Sequence, residues 1–210
     1  MPGLGEFAGQ VLHAAEYRSP APFAGRRVVV VGAGNSAVQI ATELAGTARV
    51  TLSTRLPVKF AAQRILGRDL TRTGLDAAPL GRLLGSPPAQ PVLDDGRYRA
   101  ALAAGRPVRR PMFAGADGVK LIWPDGEREE MDAIVLATGY GPDLPYLTGL
   151  DGALDGDGSP RHHEGLAIGV PGPAFVGLEW RRSLSSNSLR GVGRDAERVA
   201  RRLASHVARQ

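Results

Sequence analysis

The strongest pattern in the chain is a run of four valines, Val28 to Val31, that passes through glycines into a stretch with helical spacing. Branched apolar residues without polar alternation fit a parallel-sheet strand buried on both faces, which predicts a strand over 27–31. Beyond Gly32 and Gly34 the apolar positions recur every three or four residues. Val38, Ala41 and Leu44 then share one helical face, with Ala37 and Ile40 beside them, as far as Ala45. Gly46 stops this helix, and "RVTLSTR", 49–55, supplies a second strand.

Elsewhere the pattern is weaker. Residues 1–24 read as an irregular lead-in with prolines at 2, 20 and 22. Residues 57–110 are the hardest to read: "GRDLTRTGLDAAPLGRLLGSPP", 67–88, predicts short helical pieces broken by glycine and proline and ending at Pro87-Pro88, and 98–105 predicts a short helix closed by Gly105. "GVKLIWPDGERE" predicts a hairpin that turns at Pro124-Asp125-Gly126. "MDAIVLATGY", 131–140, predicts a buried strand that runs into a glycine turn, and "PAFVGLEW" predicts a last strand. A final helix over 193–208 places Ala196, Val199, Ala200, Leu203 and Val207 on its apolar face. The order is α/β throughout, of the Rossmann-like kind, with a β-hairpin insertion.

Composition narrows the function classes. The 210 residues, 43% hydrophobic and 22% charged, are ordinary for a globular protein. The longest apolar runs, near 28–33 and 133–138, fall well short of the roughly 20 residues of a membrane-spanning helix, so no membrane span is expected. "MPGLGEF" lacks a basic region followed by an apolar stretch, and the chain has no cysteine; a cytoplasmic location is the expectation. The net charge is +5, from scattered arginines and two lysines, Lys59 and Lys120. Arg194, Arg198, Arg201 and Arg202 read as the solvated face of the last helix, and 5% aromatic residues leave few stacking platforms, so no nucleic-acid partner is expected. His162 and His163 are adjacent in a glycine-rich loop far from the other histidines, so no metal site is expected.

Gly32-Ala33-Gly34-Asn35-Ser36-Ala37 matches G-x-G-x-x-A between the strand and the helix. The first glycine permits a tight turn, the second lets backbone approach a pyrophosphate, and Ala37 lets helix and strand pack closely. The helix opening then presents free N–H groups to phosphate. At the end of the second strand an NAD site places an acid for the ribose hydroxyls. Here there are Ser53, Thr54 and Arg55, with Lys59 near by and no acid from Arg49 to Lys59. A guanidinium suits a 2′-phosphate, so NADP(H) is favoured over NAD(H).

Three further stretches resemble one family together with this turn. "FAGQVLHAAEY" carries Phe7, Gly9, His13 and Tyr17 at the spacing F-x-G-x-x-x-H-x-x-x-Y. This resembles the identifying motif of flavin-containing monooxygenases, whose Baeyer–Villiger relatives usually carry tryptophan in place of Tyr17. "DAIVLATGYGPDLPYL", 132–147, resembles the passage by which that family returns from its NADP domain to its FAD domain. "FVGLEWRRSLSSNSLRGVGRDA", 175–196, resembles the closing segment that approaches the flavin. The resemblance implies that Gly139, Tyr140, Gly193 and Asp195 edge the flavin, while Gly32, Gly34, Asn35, Ser36, Ala37, Ser53 and Arg55 hold NADP(H). Within the motif, His13 is expected to link structure rather than donate a proton.

The family has two dinucleotide turns, the first for FAD, and this chain has only the second. The implied organisation is a lead-in over 1–23 on the FAD side, an NADP(H)-binding domain over 24–135, and over 136–210 the C-terminal remnant of an FAD-binding domain. The implied activity is NADPH-driven flavin reduction and N- or S-oxygenation of a small nucleophilic substrate with O2, in a truncated or split form with no catalytic side chain assigned. A second reading is a non-catalytic NADP(H)-binding module that docks on a partner supplying the FAD-binding half; a homo-oligomer is the other association considered. A third is an inert fragment.

Overall fold

The computed structural model describes residues 1, 3–62, 64–65, 68–69, 91–178, 186, 188–189 and 191–208. Of the helical pieces predicted over 67–88, Arg68–Asp69 is a short strand instead, and the rest, like the end of "PAFVGLEW", lies outside the described residues. The chain divides into two compact units, Met1–Arg64 with Ala89–Gly139, and Ile65–Pro88 with Tyr140–Gln210.

The first unit is built on strands β1 (Gln10–His13), β2 (Arg27–Val31), β3 (Arg49–Thr54), β8 (Val108–Pro111) and β12 (Ala133–Leu136). They form one five-stranded sheet in the order β1-β12-β2-β3-β8, parallel throughout. Helix α1 (Asn35–Leu44) joins β2 to β3. Strands β4 (Phe60–Ala62) and β7 (Val92–Asp94) pair as a small parallel ladder, and β5 (Arg64–Ile65) pairs with β6 (Arg68–Asp69). Helix α2 (Arg97–Ala103) leads into β8.

The valine run is explained by a core on each side of the sheet. Val28 and Val30 join Leu52 and Val135 under Ala37, Val38, Ala41 and Leu44 of α1. Val29, Val31 and Ile134 face the opposite way and pack on Phe7, Phe113, Leu121, Trp123 and Met131. The second layer comes from the insertion. It is larger than the expected hairpin: β9 (Gly115–Asp117), β10 (Lys120–Ile122) and β11 (Arg128–Glu130) form a three-stranded antiparallel meander. Arg110 pins this meander to β8, its guanidinium 4.3 Å from the centre of the Trp123 ring and 2.7 and 3.0 Å from carboxylate oxygens of Glu127 and Asp125. Burying each of these valines stabilises by about 1.5–3 kcal/mol.

Three expectations change. The lead-in is not wholly irregular, because β1 pairs with β12 over Gln10–His13. The strand predicted over 131–140 is confined to Ala133–Leu136. "PAFVGLEW" is not a strand in its described part; Ala174 makes a single bridge to Leu166.

In the second unit β13 (His162–His163) and β14 (Leu166–Ala167) form a two-residue hairpin that turns through Glu164 and Gly165, both at positive φ. Helix α3 (Val192–Val207) is joined to that turn by an ion pair from Arg202 to Glu164. Of its expected apolar face Val199 is buried, Ala196 and Leu203 half-buried, and Ala200 and Val207 exposed. None of the described helices is long and apolar enough to cross a membrane.

Candidate functional site

The C-terminal ends of β2, β3 and β12 make one rim, and the glycine turn lies on it. Gly32 has φ +142, and a Cβ there would sit 2.2 Å from the Ala137 carbonyl oxygen and 3.0 Å from the Ala37 Cβ. Only glycine fits between β12 and the helix. Its N–H donates to the Ser53 carbonyl at 3.0 Å, which ties the turn to β3. Ala37 is fully buried; its small side chain brings α1 close to the strand.

Gly34 is the N-cap residue of α1, exposed, and a Cβ added to it would meet nothing within 4 Å. Among the described residues no side chain caps this helix opening, and its first turn holds no acid. The first N–H groups of an α-helix lack intrahelical acceptors and carry the positive end of its dipole. A ten-residue helix that opens this way onto a clear rim suits a phosphate. These features fit the pyrophosphate of a dinucleotide.

Two polar residues of the expected NADP(H) set have structural partners. The Asn35 Oδ1 accepts the N–H of Leu93 at 3.0 Å, which latches β7 to the opening turn of α1. The Ser53 hydroxyl is fully buried and donates to the Pro111 carbonyl at 3.1 Å, bracing β3 against β8. Ser36 is exposed beside Gly34. Arg55, one residue beyond β3, is exposed and has no ion-pair partner among the described residues.

The spaced motif near the N-terminus is a set of clamps on this scaffold. The Phe7 ring lies so close over Gly9 that a Cβ there would be 2.6 Å from two ring carbons and 3.0 Å from the Asp132 carbonyl. His13 Nδ1 accepts the Ala15 N–H at 3.2 Å, so Nε2 carries the proton and donates to the Gly139 carbonyl at 3.1 Å. That bond fixes the glycine turn after β12, where Gly139 itself has φ +96. The Tyr17 hydroxyl donates to Glu43 on α1 at 3.0 Å. Partial burial and the Glu43 carboxylate both push the phenol pKa well above its usual range.

Of the residues expected along a flavin, Gly139 closes the first unit and Tyr140 is largely exposed at the start of the second. Gly193 is exposed in the first turn of α3, where Asp195 is buried. Asp94 escaped the sequence reading: its carboxylate accepts the N–H groups of Gly96, Tyr98 and Arg99 and so opens α2. The signal was present as an acid just before a helical pattern.

Fold and rim together define a Rossmann-like α/β protein. A family model described as "Flavin-binding monooxygenase-like" matches residues 1–68. The flavin-containing monooxygenase from Stenotrophomonas maltophilia shares the fold with TM-score 0.79 and 31% identity, over 98% of this chain and 58% of that one. The CzcO-like oxidoreductase of Geobacillus kaustophilus is 28% identical over 93% of this chain and 57% of its own length. Indole-3-pyruvate monooxygenase YUCCA4 of Oryza sativa is 29% identical over 99% of this chain and 53% of its own. These matches make the chain similar to flavin-binding monooxygenase-like proteins. It spans about half the length of these curated relatives.

Proposed function

We propose that the chain binds NADP(H) on the rim at Gly32–Ala37 and serves an oxidoreductase reaction of the flavoprotein monooxygenase type. The observation that carries this reading is the uncapped, acid-free opening of α1, held against β12 by a glycine that no other residue can replace. The amides of Asn35, Ser36 and Ala37 take the pyrophosphate, and Arg55 takes the 2′-phosphate. Asn35 and Ser53 act through the backbone they hold, at Leu93 and Pro111.

When bound, the cofactors supply the chemistry, hydride from NADPH to FAD and activation of O2 for transfer to a small soft nucleophile. The chain's own residues orient and enclose: His13 holds the Gly139 turn, and Gly139, Tyr140, Gly193 and Asp195 are the proposed flavin edge. No side chain is assigned as acid, base or nucleophile.

A second reading is an NADP(H)-binding module whose flavin-binding half is another chain. It is favoured by the first unit, which holds the whole glycine turn and the opening of α1 by itself. Flavin content by absorbance, with NADPH oxidation measured with and without added FAD, separates the two. Bound flavin and turnover support the oxidoreductase; colourless protein that binds NADPH supports the module. Calorimetric titration in which NADPH binds no better than NADH, or in which Arg55→Ala keeps the preference, removes Arg55 from the site.

A further inference from the structure

Arg55 leaves the rim at the end of β3, and the chain comes back within five residues to Phe60 in β4. β4 pairs with β7, with the Val92 N–H donating to the Lys59 carbonyl at 2.7 Å. β7 in turn is latched to the opening turn of α1 by the bond from Leu93 to Asn35. This ladder is therefore tied at one end to the proposed pyrophosphate site and at the other, through a short stretch of chain, to Arg55. What it carries there is a second arginine.

The Arg99 guanidinium lies 5.2 Å from the centre of the Phe60 ring, and its Nε is 4.0 Å from an Asp94 oxygen. Arg99 nonetheless remains two-thirds exposed, whereas the Asp94 side chain is buried and already accepts three backbone N–H groups. An arginine resting on an aromatic face, with a carboxylate beside Nε, has lost part of its conformational freedom, so less entropy opposes ligation by its terminal nitrogens. Over 55–60 and 92–99, the two segments that form and flank this ladder, Arg55, Lys59, Arg97 and Arg99 stand against the two carboxylates of Asp94 and Asp95. That excess suits a dianion.

We propose that Arg99, seated on Phe60, is a second 2′-phosphate ligand that works with Arg55 to set the preference for NADP(H). The inference rests on the rim binding a dinucleotide, and the test keeps the two apart. NADPH, NADH and 2′,5′-ADP are titrated by calorimetry into the full chain as wild type, Arg99→Ala, Arg99→Lys and Phe60→Leu, with thermal unfolding of each recorded.

Arg99→Ala is expected to weaken NADPH and 2′,5′-ADP about tenfold and leave NADH unchanged, at an unchanged melting temperature. Arg99→Lys and Phe60→Leu fall between, because the first keeps the charge without the fork and the second keeps the fork without the ring. If wild type prefers NADPH and Arg99→Ala keeps the full preference, or weakens both nucleotides equally, Arg99 is overturned while the rim stands. If wild type binds neither nucleotide, the rim reading fails and takes this inference with it. A variant that loses its fold is judged by Arg99→Lys, which retains the ion pair with Asp94.

Discussion

The letters G-x-G-x-x-A occur at the openings of two α-helices, at 32–37 before α1 and at 191–196 before α3, and the two openings differ physically. The first is fed by a buried strand, is pinched between β12 and the helix at Gly32, and has neither cap nor acid in its first turn. At the second, Gly191 and Val192 donate to the Ser188 carbonyl, and the first turn carries its own carboxylate, the buried Asp195. An acidic side chain already lies at the positive end of that dipole. A phosphate turn is therefore a strand, a forced glycine and an unanswered helix opening; the glycine spacing alone is not one.

The largest effect that breaks or upholds this contrast comes from alanine at Gly32, which precedes α1, and at Gly193, in the first turn of α3. Gly32→Ala puts a methyl 2.2 Å from a carbonyl oxygen at φ +142, and is expected to destabilise by about 3 kcal/mol or more in urea unfolding. Gly193→Ala meets nothing within 4 Å and has an ordinary φ, so it is expected to be neutral or to gain up to about 1 kcal/mol from helix propensity. Equal effects at the two sites would mean that the turns are equivalent.

Next comes Gly34→Ala, which separates site from fold. Its Cβ would enter open space, so unfolding is expected to be unchanged. The same methyl would stand where the backbone meets pyrophosphate, and NADPH affinity is expected to fall about tenfold, roughly 1.4 kcal/mol. Calorimetry on Gly34→Ala and Gly193→Ala side by side sharpens the comparison: only the first should lose nucleotide.

The stretch from β2 to β3 was legible because its physics is local. A strand covered on both faces shows an unbroken apolar run, and an amphipathic helix shows its period. Edge strands hide. β8 is "VRRP", with Arg110 turned to the meander, and β1 is "QVLH", half exposed. Neither shows the hydrophobic alternation or run of an interior strand, and only pairing with β3 and β12 makes them strands. The site was legible in its glycines and less so in its polar residues. Asn35 and Ser53 are singled out by position, yet their partners lie 58 residues away at Leu93 and Pro111, where no periodicity points. The spaced F-x-G-x-x-x-H-x-x-x-Y was recognisable as a signature, but its meaning as three clamps emerges only in three dimensions.

The two helices also differ in how they are braced, and the effect is smaller. α1 is held by a phenol on Glu43, α3 by an ion pair between Arg202 and Glu164. Tyr17→Phe is expected to cost about 1 kcal/mol, little affected by salt, as for a lost hydrogen bond. The brace on α3 should instead weaken with added salt, because an ion pair open to solvent is screened. Unfolding curves of Tyr17→Phe and Arg202→Gln at low and high salt distinguish them.

The smallest effect lies at the foot of the α1 sheet, opposite the rim. Asp132 accepts the Arg27 N–H at 2.7 Å and lies beside its guanidinium, and these hold its carboxyl below the usual range against slight burial. A carboxylate with a depressed pKa stabilises fully above its unfolded value near 3.9, and that contribution is lost as pH falls through the folded value. Asp132→Asn should therefore lower the unfolding midpoint slightly at pH 7 and flatten the decline below about pH 4. Because the foot and the rim are joined only through strands that the substitution leaves intact, the ratio of NADPH to NADH affinity should not move. If it does, the opening of α1 depends on the sheet's far edge, and its difference from α3 lies in the whole unit rather than in one turn.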